Sequence, residues 1–148
     1  MLVVQAARFF CSGSGSMVGK YSYQYARPSL TVDAVIASTS SPHSLLLIQR
    51  KHDPFAGSWA LPGGFVDENE PLEAAAAREL QEETTVDPGS AAQWYPIGQL
   101  PTLAFDHKLI VRTSFRHLAR EGAVQQTPGL EEQLAQAADG LEGPWQEQ

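Results

Sequence analysis

The order of apolar and polar positions predicts short strands followed by a helix. Residues 30–37 and 45–49 mix apolar and β-branched side chains, and each run is long enough for a buried strand. Residues 65–66 predict a further short strand. Residues 72–83 are rich in Ala, Leu, Glu and Gln and contain no β-branched residue, which predicts a helix that Pro71 can begin. This pattern indicates an α/β (α+β) fold.

The second half of the chain is less regular. Residues 86–93 contain Pro, Gly and Ser and predict a loop. Residues 109–115 have the β-branched content of a strand. Residues 131–138 can form a short helix, but the region 121–148 has few large apolar side chains and predicts a disordered, acidic tail.

Length and charge limit the class of protein. The 148 residues fit one domain, and no apolar run reaches membrane-spanning length. The net charge of −7 divides into −1 up to Arg120 and −6 beyond it, so neither part supplies the basic patch that nucleic acid requires. Cys11 is the single cysteine, which excludes a disulfide framework. We therefore predict no nucleic-acid partner and no membrane association.

The N-terminal residues allow two interpretations. Residues 1–16 have two apolar patches, one Arg and no acidic residue, a composition compatible with an organellar transit segment. A flexible N-terminus is the preferred interpretation, with Met17 as an alternative start. The predicted organisation is a flexible extension at 1–20, a domain at 21–120 and a tail at 121–148, in a cytoplasmic protein for which import into an organelle is the alternative.

Three carboxylates crowd the end of the predicted helix. Glu79, Glu82 and Glu83 stand three and four residues apart and therefore share one face. Their mutual repulsion and their place at the negative end of the helix dipole are both unfavourable. A hard divalent cation removes both penalties, and Arg78 can hold one carboxylate in place. A solvated Glu-rich surface is the alternative.

The same stretch resembles the Nudix box of the Nudix hydrolases. Gly64, Glu70 and the run Arg-Glu-Leu-Gln-Glu-Glu at 78–83 stand at the spacing of that motif. Thr85 departs from it, because the family usually has Gly there. A β-branched residue adopts a left-handed helix cap poorly, so we expect the helix to end in another way.

Two further segments extend the resemblance over about residues 21–118. Residues 27–33 are similar to Nudix members of the ADP-ribose pyrophosphatase type, and residues 94–96 and 103–107 match segments that flank the final helix of that group. Two or three strands normally lie between the box helix and these segments, and residues 86–93 cannot hold them. A spliced or mispredicted product, a minimal natural variant, and replacement by another segment are the three explanations.

The resemblance implies a Nudix-like α/β/α sandwich with a mixed β-sheet that lacks part of its strands. It implies a hydrolase that uses Mg²⁺ or Mn²⁺ to cleave a nucleoside diphosphate linked to another moiety, with ADP-ribose as the first compound to test. The implied metal ligands are Glu79, Glu82 and Glu83, with Glu82 also the general base and Arg78 orienting a carboxylate. The implied substrate contacts are Arg50, Gly63, Gly64 and Phe65, and the structural motif residues are Glu70 and Leu80. A homodimer is compatible with it.

Several alternatives remain open. A domain without its cleft walls could bind a nucleotide or a partner without turnover. A ligand-sensing regulator is disfavoured, because only an acidic tail follows the domain. The family suggests a helix rather than a strand at residues 109–115. His107 is expected to cap that helix or to form a hydrogen bond in the loop. Trp59 is expected to pack in the core or a loop rather than to stack on a base.

Overall fold

A computed structural model describes residues 2–10, 29–86, 91–120, 124 and 127–142. It contains one six-stranded sheet and three helices. The strands are β1 (Leu2–Phe10), β2 (Ser29–Ala37), β3 (Ser44–Gln49), β4 (Trp59–Ala60), β5 (Gly63–Phe65) and β6 (Ala92–Pro96). The helices are α1 (Leu72–Gln81), which continues as a π-helical turn at Glu82–Val86, α2 (His107–Leu118) and α3 (Leu130–Gly140). The predicted strands at 30–37 and 45–49 are confirmed.

The two central strands separate, and a short segment fills the space between them. β2 and β3 pair directly where Ala37 faces Leu45. Further along, β4 pairs antiparallel with β3, while β5 pairs antiparallel with β2 at Thr31, Val32 and Asp33. The connection between them is also tied to β2, because the Ala34 N–H donates to Pro62 O at 2.8 Å. We call residues 59–65 the wedge.

Both faces of the sheet are covered, which gives the predicted α/β/α sandwich. On β2, Val32 packs with Ala75 and Ala76 of α1, whereas Val35 packs in the cluster that contains α2 and α3. Neighbouring side chains of a strand point to opposite faces, so one strand serves both layers. The pairings between the strands above are antiparallel, and a parallel bridge joins Trp59 to Leu103.

The first helix ends without glycine. α1 runs to Gln81 and is followed by the π-helical turn Glu82–Val86, which includes Thr85. The Thr84 hydroxyl donates to Leu80 O at 2.6 Å, which satisfies a carbonyl near the helix end. The prediction that the helix ends differently from the family pattern is confirmed. The widened turn also places Glu82 and Glu83 on a backbone that no longer has ideal α-helical spacing.

The C-terminal half decides one open alternative and corrects one prediction. Residues 109–115 lie inside α2, so the strand alternative is wrong and the helix suggested by the resemblance is correct. The predicted disordered tail at 121–148 contains α3, whose Leu130, Leu134 and Ala138 are fully buried against α2. Three apolar residues four apart suffice to bury one face, although the segment has few large apolar residues overall.

Part of the acidic charge of the C-terminal region pairs with α2. Arg116 Nη2 lies 2.5 Å from Glu142 Oε1 and 3.4 Å from Asp139 Oδ1. Lys108 Nζ donates to Glu142 O at 3.4 Å. These exposed pairs add little free energy each, but they place the acids against a basic helix face rather than in a solvated tail.

The N-terminal prediction also needs correction. Residues 1–20 were expected to be a flexible extension, but Leu2–Phe10 forms β1 and pairs antiparallel with the whole of β2. β6 pairs with β3 from Ser44 to Ile48. β6 begins at Ala92, inside the loop that was predicted at residues 86–93. β1 and β6 therefore fit the third explanation given for the strands missing after the box helix, which is their replacement by other segments. The placement of residues 11–20 lies outside the described residues.

Removing residues 1–16 should destabilise the domain. The variant that begins at Met17 lacks β1, so β2 would expose a nine-residue edge of unpaired N–H and C=O groups. We expect the midpoint of thermal unfolding to fall by several degrees and the protein to aggregate more readily. A variant that ends at Glu142 is the matched control. An unchanged midpoint in the Met17 variant would contradict the pairing of β1 with β2.

Candidate active site

The two glycines of the wedge are needed for close approach. A methyl group added at Gly63 would overlap Val32 O and lie 2.9 Å from Asp33 Cα, both in the backbone of β2. A methyl group at Gly64 would lie 2.5 Å from Glu79 Cδ, at the end of a flexible side chain. Gly63 therefore lets the wedge reach the sheet, and Gly64 lets a carboxylate of α1 reach the wedge.

Arg78 joins the loop before α1 to the helix. Its Nε and Nη2 donate to Glu70 at 2.9 and 2.8 Å, its Nη1 donates to Glu79 Oε1 at 2.7 Å, and its Nη2 also donates to Phe65 O at 2.9 Å. The Asp67 N–H donates to Glu70 Oε2 at 3.0 Å. The hydrogen bonds from Arg78, and to a smaller extent the one from the Asp67 N–H, lower the pKa of Glu70 to about 2. The planar guanidinium of Arg78 therefore fixes β5, the loop after it and α1 relative to one another.

Glu83 reaches from the π-helical turn to the wedge. Its Oε2 accepts a hydrogen bond from the Gly63 N–H at 2.9 Å. Burial raises the pKa of Glu83 to about 7, and the negative charges of Glu79 and Asp33 add to this, while the Gly63 N–H and Arg50 oppose it. Four polar groups from different elements therefore surround one partly buried carboxyl group.

Glu82 is more exposed than Glu79 and lies near the same Arg78 nitrogen. Its side chain is 55% exposed, and its Oε2 lies 3.7 Å from Arg78 Nη1. Within the part of the chain that the structure describes, no three His, Cys, Asp or Glu side chains form a group that could hold a metal ion. The structure therefore brings Glu79 and Glu83 to the wedge, and it does not gather all three predicted ligands. Their carboxylate oxygens still fit a hard divalent cation in kind.

Arg50 lies against an aromatic pair beside Glu83. Its guanidinium carbon is 4.6 Å from the centre of the Phe105 ring, and its Nε donates to Pro54 O at 3.0 Å. Phe105 contacts Phe55 edge to face at 4.6 Å between ring centroids. Both Phe residues have left-handed backbones, with φ of 51° and 67°, which bulky side chains rarely adopt. The arrangement joins the loop after β3 to the loop before α2.

The two remaining predicted site residues are Phe65 and Leu80. Phe65 is exposed, and its backbone continues β5 opposite Thr31. Leu80 packs against Ala34, Ile36 and Leu46 under α1. A cavity of about 500 Å³ lies elsewhere, against α2 and α3, and none of the predicted site residues lines it.

His107 is more important to this site than its sequence context indicated. The ring is 3% exposed, and its Nδ1 accepts a hydrogen bond from the Leu61 N–H at 2.8 Å. Its Nε2 lies 3.6 Å from Oδ1 of the buried Asp33. His107 forms a hydrogen bond, as predicted, but its partner lies 46 residues away and not in its own loop. Asp33 was missed altogether. The available signal was a charged residue in the middle of an apolar strand.

Trp59 has the packing role that was predicted. Its ring contacts Tyr95 edge to face at 4.9 Å between centroids, and it borders the main core cluster. The Ala104 N–H donates to Trp59 O at 2.8 Å, so the wedge is also tied to the loop before α2.

None of the helices that the structure describes is long and apolar enough to cross a membrane.

A Gly-Gly turn packed against an acidic helix end, within an α/β/α sandwich, agrees with the class that the sequence motif indicated. The chain belongs to the Nudix family, because it matches the NUDIX domain over residues 27–138. This match extends past the predicted domain end at residue 120 and includes most of α3. Nudix proteins generally use divalent metal ions.

Two characterised proteins are similar in sequence. The ADP-ribose pyrophosphatase of Methanocaldococcus jannaschii is 30% identical over 131 residues, and the match covers 62% of this chain and 76% of that protein. The ADPR responsive transcriptional repressor NtrR of Acinetobacter baylyi is 43% identical over 77 residues. That match covers 50% of this chain but only 31% of the repressor.

Solved structures show the same fold. A MutT/nudix family protein from Enterococcus faecalis has a TM-score of 0.60 at 24% identity, covering 83% of this chain and 78% of that one. NrtR from Shewanella oneidensis has a TM-score of 0.52 at 24% identity, covering 74% and 75%. At this level of identity the likeness shows the fold alone.

Alanine at the two wedge glycines should have different effects. Gly63→Ala places a methyl group against the β2 backbone and should cost about 1–3 kcal/mol of unfolding free energy. Gly64→Ala meets only the movable end of Glu79 and should cost less. Gly98→Ala, where no atom lies within 4 Å of the added carbon, is the control and should stay within about 0.5 kcal/mol. Urea denaturation measures all three, and equal losses at Gly63 and Gly98 would refute the close approach.

The metal-free protein should lose stability as pH rises from about 4.5 to about 7. In that interval the folded state keeps a proton on Glu83 that the unfolded state has released, since the pKa is about 7 against an ordinary 4.5. The loss should be on the order of 1–3 kcal/mol. Denaturation across this range with a chelator present measures it, and Glu83→Gln should flatten the profile. Superimposable profiles for the two proteins would count against the raised pKa.

Proposed function

We propose that this protein is a metal-dependent pyrophosphohydrolase that cleaves ADP-ribose or a similar nucleoside diphosphate derivative. The observation that carries the proposal is the contact of the wedge with Glu79 and Glu83 at the end of α1. The similarity to an ADP-ribose pyrophosphatase supports the substrate class. The other relative is also described as ADPR responsive, which points to the same ligand.

The proposed roles combine the sequence motif with the contacts that each side chain makes. Glu79, Glu82 and Glu83 are the proposed ligands of Mg²⁺ or Mn²⁺, which when bound would neutralise charge on the phosphoryl oxygens and lower the pKa of the attacking water. Arg78 holds Glu79 and the loop through Glu70. Glu82 is the proposed general base, because its exposed carboxylate is accessible to water.

The proposed substrate contacts surround the same turn. The exposed Phe65 ring offers an apolar surface to a base or sugar, and Gly63 and Gly64 let a diphosphate approach the backbone closely. Arg50 is the proposed phosphate contact, although in the described structure it already contacts Pro54 O and the Phe105 ring. The reaction adds one water across the phosphoanhydride bond, so ADP-ribose would yield AMP and ribose 5-phosphate.

Binding without turnover is the second candidate function. Two observations favour it: the described residues do not gather three metal-capable side chains, and one relative is described as a transcriptional repressor. The prediction that this chain binds no nucleic acid stays a proposal, since a solved NrtR structure contains a 27mer DNA. A cytoplasmic location and a homodimer likewise stay proposals.

Hydrolysis of ADP-ribose tests the proposed function directly. We expect Mg²⁺- or Mn²⁺-dependent formation of the two monophosphates, measured by chromatography. Glu82→Gln and Glu83→Gln should each lose at least about 100-fold in kcat, the scale expected when a base or a metal ligand is removed. Glu131→Gln, an exposed acid on α3, is the matched control.

The outcomes separate the two candidates. Absence of product across a panel of nucleoside diphosphate derivatives, with both metals present, would refute the enzyme. Calorimetry that detects ADP-ribose binding in the same samples would then support the binding protein. A mobility shift with duplex DNA, with and without ADP-ribose, tests the expected absence of a nucleic-acid partner.

A further inference from the structure

The His107 ring has a defined protonation pattern. The Leu61 N–H donates to Nδ1 at 2.8 Å, and an imidazole nitrogen that accepts a hydrogen bond carries no proton. The neutral ring must therefore have its proton on Nε2, which lies 3.6 Å from Asp33 Oδ1. The whole contact is buried, since His107 is 3% and Asp33 4% exposed.

This ring acts on the wedge close to the carboxylate contact. Leu61 is two residues before Gly63, whose N–H donates to Glu83 at 2.9 Å. Between them, Pro62 O accepts from the Ala34 N–H of β2 at 2.8 Å. Backbone groups of the three consecutive residues 61–63 are therefore hydrogen-bonded to three elements: α2, β2 and the turn at the end of α1.

The short span leaves little freedom to compensate for a lost contact. Gly63 lies opposite Asp33 in the pairing of β5 with β2, so the residue that faces His107 Nε2 also fixes the backbone register of Gly63. Release of the Leu61 N–H would free one end of the span, and Gly63 has no side chain that could anchor it. The position of the Gly63 N–H, and with it that of Glu83, then depends on His107 as well as on the pairing with β2.

We propose that His107 is a positioning residue that holds the Gly63–Glu83 contact in place through the Leu61 backbone, with Asp33 facing its Nε2 proton. The proposal deepens the function proposed above, because it concerns the placement of a proposed metal ligand. Its geometry stands independently of whether the chain hydrolyses ADP-ribose. A role in core packing alone is the competing interpretation, since the ring also stacks on Phe105 at 5.7 Å.

Two substitutions separate positioning from packing. His107→Asn places a carbonyl oxygen near the position of Nδ1 and can still accept from the Leu61 N–H. His107→Gln places its amide near the position of Nε2 and leaves the Leu61 N–H without its acceptor. Both remove the ring and its stacking on Phe105, so they are matched for lost packing. His117→Gln, an exposed position on α2, is the control for a histidine remote from the wedge.

The first readouts need no activity. Nitrogen chemical shifts of His107 in the unsubstituted protein should show a proton on Nε2 and none on Nδ1. Hydrogen exchange at the Leu61 and Gly63 amides should be about five- to tenfold faster in His107→Gln than in His107→Asn. Exchange in His117→Gln should match the unsubstituted protein.

Kinetics supply the last readout. His107→Gln should lower kcat for ADP-ribose at least about fivefold while KM changes less, and His107→Asn should recover most of the loss. A proton on Nδ1, or equal exchange at Gly63 in the two variants, would overturn the proposal. The chemical shifts are measured on the unsubstituted protein, so they test the proposal even where a variant fails to fold. An unsubstituted protein without turnover that still shows the exchange contrast would refute the enzyme and leave the positioning role intact.

Discussion

The insertion of residues 59–65 between two separating strands is the constraint on which the site depends. β2 and β3 meet at Ala37 and Leu45, and the wedge supplies a strand partner to each of them further along. The insertion requires a residue without a side chain where the chain passes the β2 backbone, and Gly63 meets that requirement. The same passage aims the Gly63 N–H at Glu83 and opens Gly64 to Glu79. The insertion that completes the sheet therefore also positions the residues of the site.

The carboxylates near the wedge are held by different means. Glu70 and Glu79 share the Arg78 guanidinium, so their charge is partly offset by a cation that reaches three elements. Glu83 is partly buried with one backbone donor, and its pKa rises to about 7 because burial outweighs that hydrogen bond. Glu82 stays exposed. The repulsion at this helix end is therefore reduced in two ways, because Arg78 offsets part of the charge of Glu70 and Glu79 and the Glu83 carboxyl group can hold a proton.

Much of the first half of the fold could be predicted. β2, β3 and α1 follow from apolar runs, β-branched content and the absence of helix breakers, and the motif spacing located the turn and the acids. β1 and α3 could not be predicted in the same way. β1 follows no distinct alternation that separates it from a flexible terminus, and it exists by pairing with β2. α3 exists by burying Leu130 and Leu134 against α2, because short amphipathic helices depend on tertiary packing.

The sequence by itself determined the family, the acidic helix end and the glycine turn, because these depend on residue types at fixed local spacing. The tertiary structure decided which groups meet. His107 contacts a backbone amide 46 residues before it, and Asp33 faces that ring from the middle of β2. It also decided that Glu83 reaches the Gly63 N–H while Glu82 stays exposed near Arg78. Local spacing fixes the side of a helix on which a carboxylate lies, whereas its partner is set by strands and loops that arrive from distant parts of the chain.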